Sequence, residues 1–190
     1  MGKISVFNNI TVDGFFAGLN GEIDFFKEQP QDPDSQKFFD AAATTGGALI
    51  MGRTTYEMMA GYWPTPDAIK AEPGMAGIMN NRRKIVFSRT MKKIEEKPNW
   101  KNISLLHEIK PEEIMRLKEQ EGKGLTILGS GTIVQQLTDF GLIDGYMLLV
   151  NPVVLGEGKP LFKNTKKMNL KLLESRAFKN GTVFLRYEPV

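Results

Sequence analysis

The chain has 190 residues, 41% of them hydrophobic and 25% charged, which suits one packed domain and excludes disorder and collagen-like repetition. With no cysteine and a single histidine, it excludes disulfides, thiolate metal sites and a cysteine nucleophile, and counts against a histidine-rich metal centre or a serine–histidine triad. The net charge of +3 comes from lysines and arginines that are scattered, or interleaved with glutamate as across 92–97. That pattern describes a solvated surface rather than a nucleic-acid face, and it still suits a phosphorylated small molecule. No apolar run is long enough to cross a bilayer, and Met1-Gly2-Lys3-Ile4-Ser5 leads into a strand without a signal-peptide layout. The expectation is a cytoplasmic protein with no membrane partner.

In chain order, 4–10 reads as a first strand and 35–43 as a short helix after a Pro-Asp-rich loop. Ala48-Leu49-Ile50-Met51 is an apolar run too short for a helix, hence a buried strand, and a helix should begin just beyond it. Strands are expected again at 85–87 and 103–106, and His107 then reads as a solvated strand-end residue. The segment 111–121 opens with proline and acidic residues and continues with helix formers, which places its negative charge at the favourable end of a helix. After a strand at 125–128, the segment 131–140 sets Ile133, Val134, Leu137 and Phe140 on one helical face, with Gly141 as a stop signal. A strand at 146–150 follows, and segments 170–178 and 182–187 flank Lys179-Asn180-Gly181, a hairpin signal. The reading is a single α/β domain over 1–190. Its sheet is mixed and mostly parallel, with helices on both faces and an antiparallel C-terminal hairpin.

Three strand ends carry the chemistry. Gly52-Arg53-Thr54-Thr55 offers room for a phosphate at a helix start and an arginine able to grip it. Ser88-Arg89 adds a hydroxyl and a second cation, and Gly129-Ser130-Gly131-Thr132 supplies small residues above another helix start. Each alone also fits a tight strand-to-helix turn. Together, at the carboxyl ends of parallel strands, they point to a dinucleotide.

These segments resemble known reductases. Met51-Gly52-Arg53-Thr54-Thr55-Tyr56-Glu57, Ile85-Val86-Phe87-Ser88-Arg89 and Ile127-Leu128-Gly129-Ser130-Gly131 are similar to the cofactor segments of dihydrofolate reductases, in the same order. The opening 10–17 and the stretch 151–162, with its Gly156-Glu157-Gly158 loop, resemble the reductase domain of bacterial riboflavin biosynthesis (the RibD C-terminal family). The resemblance implies a dihydrofolate-reductase-like fold, NADPH as cofactor and commonly a twofold homodimer. Arg53 and Arg89, with Ser88 beside them, would face the 2′-phosphate. Gly52, Thr54 and Thr55 would hold the pyrophosphate from one side, and Gly129, Ser130, Gly131 and Thr132 from the other. Asn9, Phe16 and Ala17 would contact the nicotinamide end, with Glu157 near the substrate. Apart from the resemblance, the aromatic Trp63 suits stacking on a planar heterocycle, and equally a core or loop anchor. The family patterns also break. No carboxylate aligns securely with the acid that folate reductases use; Asp34 and Asp13 are the candidates, and each doubles as a cap or turn residue. The riboflavin branch's Asp-Asp-Pro segment is replaced by 53–57, and no zinc deaminase signature occurs. The implied activity is hydride transfer from NADPH to a small pteridine- or pyrimidine-like heterocycle. The alternatives are 5-amino-6-(5-phosphoribosylamino)uracil reductase and a non-catalytic NADP-binding regulatory protein.

Overall fold

In the computed structural model, which describes residues 1–190, the chain begins with β1 (Ile4–Thr11), β2 (Phe15–Ala17), the single turn α1 (Asp24–Lys27) and α2 (Pro33–Thr45). Next come β3 (Ala48–Gly52), α3 (Arg53–Tyr62), α4 (Pro66–Ala71), α5 (Pro73–Asn81), β4 (Lys84–Phe87) and β5 (Ile103–Leu106). The rest runs α6 (Pro111–Gln120), β6 (Leu125–Gly129), α7 (Gly131–Asp139), β7 (Gly145–Asn151), β8 (Lys159–Pro160), β9 (Leu170–Ala177) and β10 (Val183–Pro189).

Eight strands form one sheet in the order β5-β4-β3-β6-β1-β7-β10-β9. Pairs from β5 across to β7 are parallel, and β10 joins β7 and β9 antiparallel. The hairpin forms where Asn180-Gly181 announces it: Gly181 takes φ +86°, and Asn180 Oδ1 accepts from the Thr182 amide. The expected α/β architecture therefore holds. The ribbon of β2 and β8 and the helices α4 and α5 add to it.

Alternation along the strands divides the core between the two faces. On one face Ile4, Val6, Ile50 and Ile127 pack beneath Ile114 and Leu117 of α6 and Ile133, Val134 and Leu137 of α7. On the other, Leu49, Met51 and Val86 pack beneath Tyr56 and Ala60 of α3, Met79 of α5 and Trp100. Farther along that second face, Phe38 and Phe39 of α2 cover Leu149, Phe178 and Phe184. Each large apolar side chain buried this way contributes about 1.5–3 kcal/mol before entropy is counted. Phe140 departs from its expected place. The helix ends at Asp139, Gly141 turns the chain at φ +66°, and Phe140 is left 45% exposed.

Helix α2 starts earlier than its apolar pattern implies, and Asp34 is not its cap. Asp32 caps it, accepting from the amides of Asp34 (2.9 Å) and Ser35 (3.2 Å), while Pro33 fills the first turn without needing a partner. The same carboxylate accepts from the Asn180 amide at 3.3 Å, so it ties α2 to the hairpin. No helix is long and apolar enough to cross a membrane.

The two central strands, β6 and β1, are fully covered on one face only. Leu125, Ile127, Ile4, Val6 and Asn8 are buried, whereas Thr126, Leu128, Ser5, Phe7 and Asn9 on the opposite face are half-buried. Between α2 and α3 this leaves a shallow groove over the middle of the sheet.

Candidate active site

Strands β3 and β6 are neighbours, yet the helices that follow them leave on opposite faces. Such a reversal opens a crevice beyond the strands' carboxyl ends. Both helices reach it with open amides: Gly52 caps α3 and Ser130 caps α7, and neither makes a side-chain cap hydrogen bond. Unsatisfied first-turn amides and the helix dipole together attract an anion. The two turns also touch. A Cβ on Gly52 would stand 3.1 Å from Ser130 Oγ, and one on Gly129 would stand 3.1 Å from Thr55 Oγ1. Gly129 adopts φ +124°, a conformation natural to glycine, and the Gly129–Ser130 peptide is cis. At Gly131 a Cβ would fall 2.6 Å from the Phe16 ring, so β2 lies directly over the start of α7. Thr54 and Thr132 are exposed on the first turns of the two helices.

Beside this cradle, Arg53 is half-exposed; it donates to Thr90 Oγ1 at 3.1 Å and stands 3.9 Å from Glu57. Arg89 is exposed. Ser88 is buried and its Oγ accepts from the amides of Thr90 (3.3 Å) and Met91 (3.1 Å), so it shapes the turn that presents Arg89 and Thr90. His107, expected as a merely solvated residue, is exposed but has a partner. Its Nδ1 lies 2.9 Å from the Ser88 carbonyl oxygen and braces the same turn.

The sheet also splits here. Strand β1 pairs with β6 only from Ile4 to Val6, whereas its pairing with β7 continues to Thr11. Beyond Val6 and Ile127, the ends of β1 and β6 part. Asn8 and Asn9 stand on the β1 side of the gap, on opposite faces. Asn9 Oδ1 accepts from Asn151 Nδ2 at 3.2 Å, and Asn151 also donates to the carbonyls of Ile10 and Leu149. Asn8 is buried, with Oδ1 lacking any hydrogen-bond partner. The sequence reading passed over Asn8, although the alternation Ile4, Val6, Asn8, Ile10 already puts an amide among core positions.

The remaining candidates scatter. Half-buried Phe16 and buried Ala17 lie on β2 at the mouth of the gap. Asp13 accepts from Thr11 Oγ1 (2.5 Å) and from the amides of Gly156 (2.8 Å) and Leu155 (3.3 Å). The Thr11 bond chiefly, against an opposing effect of burial and with the help of the two amides, holds its carboxyl below the usual range. Asp13 is thus an ionised clamp between the β1–β2 turn and the loop after β7. Glu157 is exposed in that loop, which Gly158 brings against the Ala17 carbonyl, 2.6 Å from where a Cβ would project. Asp34 is exposed on the first turn of α2. Trp63 does not join the groove. It caps the far end of α3 and packs against the cluster of Leu49, Met51 and Tyr56, about 15 Å along the helix from the cradle.

Residues 2–184 match the RibD C-terminal domain family. The uncharacterized protein YyaP of Bacillus subtilis is 32% identical over 179 residues, covering 94% of this chain and 90% of that protein. Among solved structures, a putative riboflavin biosynthesis protein from Shewanella sp. PV-4 has a TM-score of 0.78 at 21% identity, over 99% of both chains. Dihydrofolate reductase from Enterococcus faecalis, complexed with NADP(H), has a TM-score of 0.60 at 17% identity, over 99% of this chain and 96% of that one. The strand order, the crevice and the family match over nearly the whole length agree: the chain belongs to the RibD C-terminal domain family and has a dihydrofolate-reductase-like fold.

Proposed function

We propose that the chain is an NADPH-dependent reductase that transfers hydride to a C=N or C=C bond of a small planar heterocycle, pteridine- or pyrimidine-like. The observation that carries this reading is the meeting of two uncapped helix starts, α3 and α7, beside a split in the sheet. Two amide ends, with no side chain at Gly52, Gly129 or Gly131 to fill the space, suit a pyrophosphate. The fold shared with an enzyme solved with NADP(H) supports the same cofactor here.

Gly52, Thr54 and Thr55 would hold the pyrophosphate from the α3 side, and Gly129, Ser130, Gly131 and Thr132 from the α7 side. Arg53 and Arg89 would face the 2′-phosphate, with the Ser88 turn setting their spacing. Asn9, Phe16 and Ala17 would border the nicotinamide. NADPH, when bound, supplies the hydride; the chain orients donor and acceptor and excludes water.

The half-buried face of Phe7, Asn9, Thr126 and Leu128, edged by Phe39 at 5.5 Å between ring centroids from Phe7, suits a flat ring. Asn151 engages Asn9 Oδ1 and leaves Asn9 Nδ2 to meet the substrate. Glu157 would border the rim from the loop that Asp13 secures. Asp13 is held ionised and Asp34 faces solvent, so neither is assigned the proton, which we take to come from water. The family match favours, as a second reading, reduction of 5-amino-6-(5-phosphoribosylamino)uracil, which needs a further subsite for the substrate phosphate. We place a twofold homodimer contact on the free edge of β9.

Turnover tests the reading. NADPH consumption is followed with a panel of dihydropteridines, dihydrofolates and aminouracils, and oxidation by one class is the expected outcome. Saturable NADPH binding with no consumption across the panel would support a non-catalytic NADP-binding protein instead.

A further inference from the structure

Strands β4 and β5 run in parallel register with Phe87 opposite Leu106, so the residues that follow them, Ser88 and His107, leave the sheet side by side. The Ser88 amide donates to the Leu106 carbonyl at 2.9 Å, and His107 Nδ1 lies 2.9 Å from the Ser88 carbonyl oxygen. A carbonyl only accepts, so Nδ1 keeps its proton in both charge states of the ring. The proton that titrates is the one on Nε2, which makes no hydrogen bond within the chain. The turn is bonded onward: Ser88 Oγ accepts from the Thr90 amide, and Thr90 Oγ1 accepts from Arg53 Nη1 at 3.1 Å. Most charges around the imidazole are balanced. Glu108 pairs with Lys110 at 2.7 Å, Glu113 of α6 with Arg116 at 3.6 Å, and Arg53 with Glu57 at 3.9 Å, while Glu112 stands exposed on the first turn of α6. Arg89 and Lys92 are exposed on the segment after β4 and have no carboxylate partner. Protonation of His107 places a further uncompensated cation beside them.

We propose that His107 is a specificity residue for the cofactor: as an imidazolium braced on the Ser88 carbonyl, it adds a cation beside Arg89 and tightens the hold on the 2′-phosphate. NADPH affinity is thereby linked to the proton on Nε2, which histidine exchanges within the physiological range. The inference rests on the cofactor reading and adds to it a residue from a strand that none of the three cofactor segments includes. A 2′-phosphate itself takes up a proton at about pH 6, so the effect is read against a side chain that cannot ionise.

His107 is the only histidine of the chain, so its Cε1 proton is a single NMR resonance whose pH titration needs no assignment. The midpoint is measured without ligand, with saturating 2′,5′-ADP, and with saturating 5′-AMP, which lacks the 2′-phosphate. 2′,5′-ADP should raise it by about 0.5–1 in pH, the coupling of one charge to a nearby dianion across exposed surface, and 5′-AMP by clearly less. His107→Gln keeps a donor for the Ser88 carbonyl and carries no charge. By linkage it should bind 2′,5′-ADP about threefold or more weaker than wild type at about pH 5.5, and equally at about pH 8.5, in calorimetric titration. A midpoint that 2′,5′-ADP leaves in place or moves no further than 5′-AMP does overturns the assignment of His107. So does a variant that matches wild type at the lower pH or trails it equally at both. Each of these leaves the cofactor reading standing; a wild type that binds neither 2′,5′-ADP nor NADPH overturns both.

Discussion

Arg53 and Lys84 sit at opposite ends of neighbouring strands and meet opposite environments. Arg53 is half-exposed at the cradle, anchored by Thr90 and free to approach a phosphate. A shielded arginine–phosphate contact is worth roughly 1.5–3 kcal/mol, and exposure reduces that. Arg53→Ala should therefore weaken NADPH about tenfold and leave NADH unchanged, as measured by fluorescence titration. Lys84 is fully buried over the Trp100 ring, and its Nζ donates to the carbonyls of Asn80, Arg82 and Lys101 at 2.8–3.2 Å. Burial pushes it from 10.5 down to about 8, against a smaller upward pull from Glu96. The unfolded chain then binds more protons than the folded one between about pH 8 and 10.5, so Lys84 makes stability rise with pH across that window. Lys84→Met should abolish this slope in melting curves and, by orphaning three carbonyls, cost about 1–3 kcal/mol at neutral pH. The cradle glycines and Arg53 were legible in the sequence because each motif is contiguous at a strand end. The environments of Ser88, Asp13, Trp63 and Asn8 were not, because each depends on a partner or packing surface that only the folded chain assembles.

Legibility differs in the same way among the elements. Buried parallel strands announce themselves as apolar runs, and α6 and α7 by their periodicity, whereas α5 carries Gly74 and Gly77 and has little intrinsic helical preference. It is held by packing, with Ala76 fully buried and Met79 in the cluster under α3, which no local pattern reveals. Helix α2 buries no residue completely, so its start is set by Asp32 rather than by an apolar stripe. The β6–α7 turn is the element on which the cofactor reading depends most. Gly129→Ala forces a side chain onto φ +124° and against Thr55 Oγ1. We expect about 1–3 kcal/mol of lost stability from the backbone alone and weaker binding of both NADPH and NADH. A folded variant with wild-type calorimetric affinities would reduce this segment to an ordinary turn.

For the whole molecule, assembly depends on which strands the sheet leaves unpaired. Strand β7 lies between β1 and β10 inside the sheet and offers no edge. The free edges are β5 and β9, and on β9 Leu172 and Leu173 are 49% and 43% exposed beside an irregularity opposite Arg186 and Tyr187. Open edges with apolar side chains invite pairing with another chain. Light scattering after size exclusion should give twice the 21.3 kDa chain mass, and Leu173→Lys should return it to one. The order β3-β6-β1 places the crevice, the gap and the groove side by side, and the reductase reading depends on their acting together. Equilibrium titration of the wild-type protein with NADPH and NADH tests this most directly. Saturable binding of NADPH, about tenfold or more tighter than NADH, is the result this account requires; no binding, or equal affinity for the two, would contradict it.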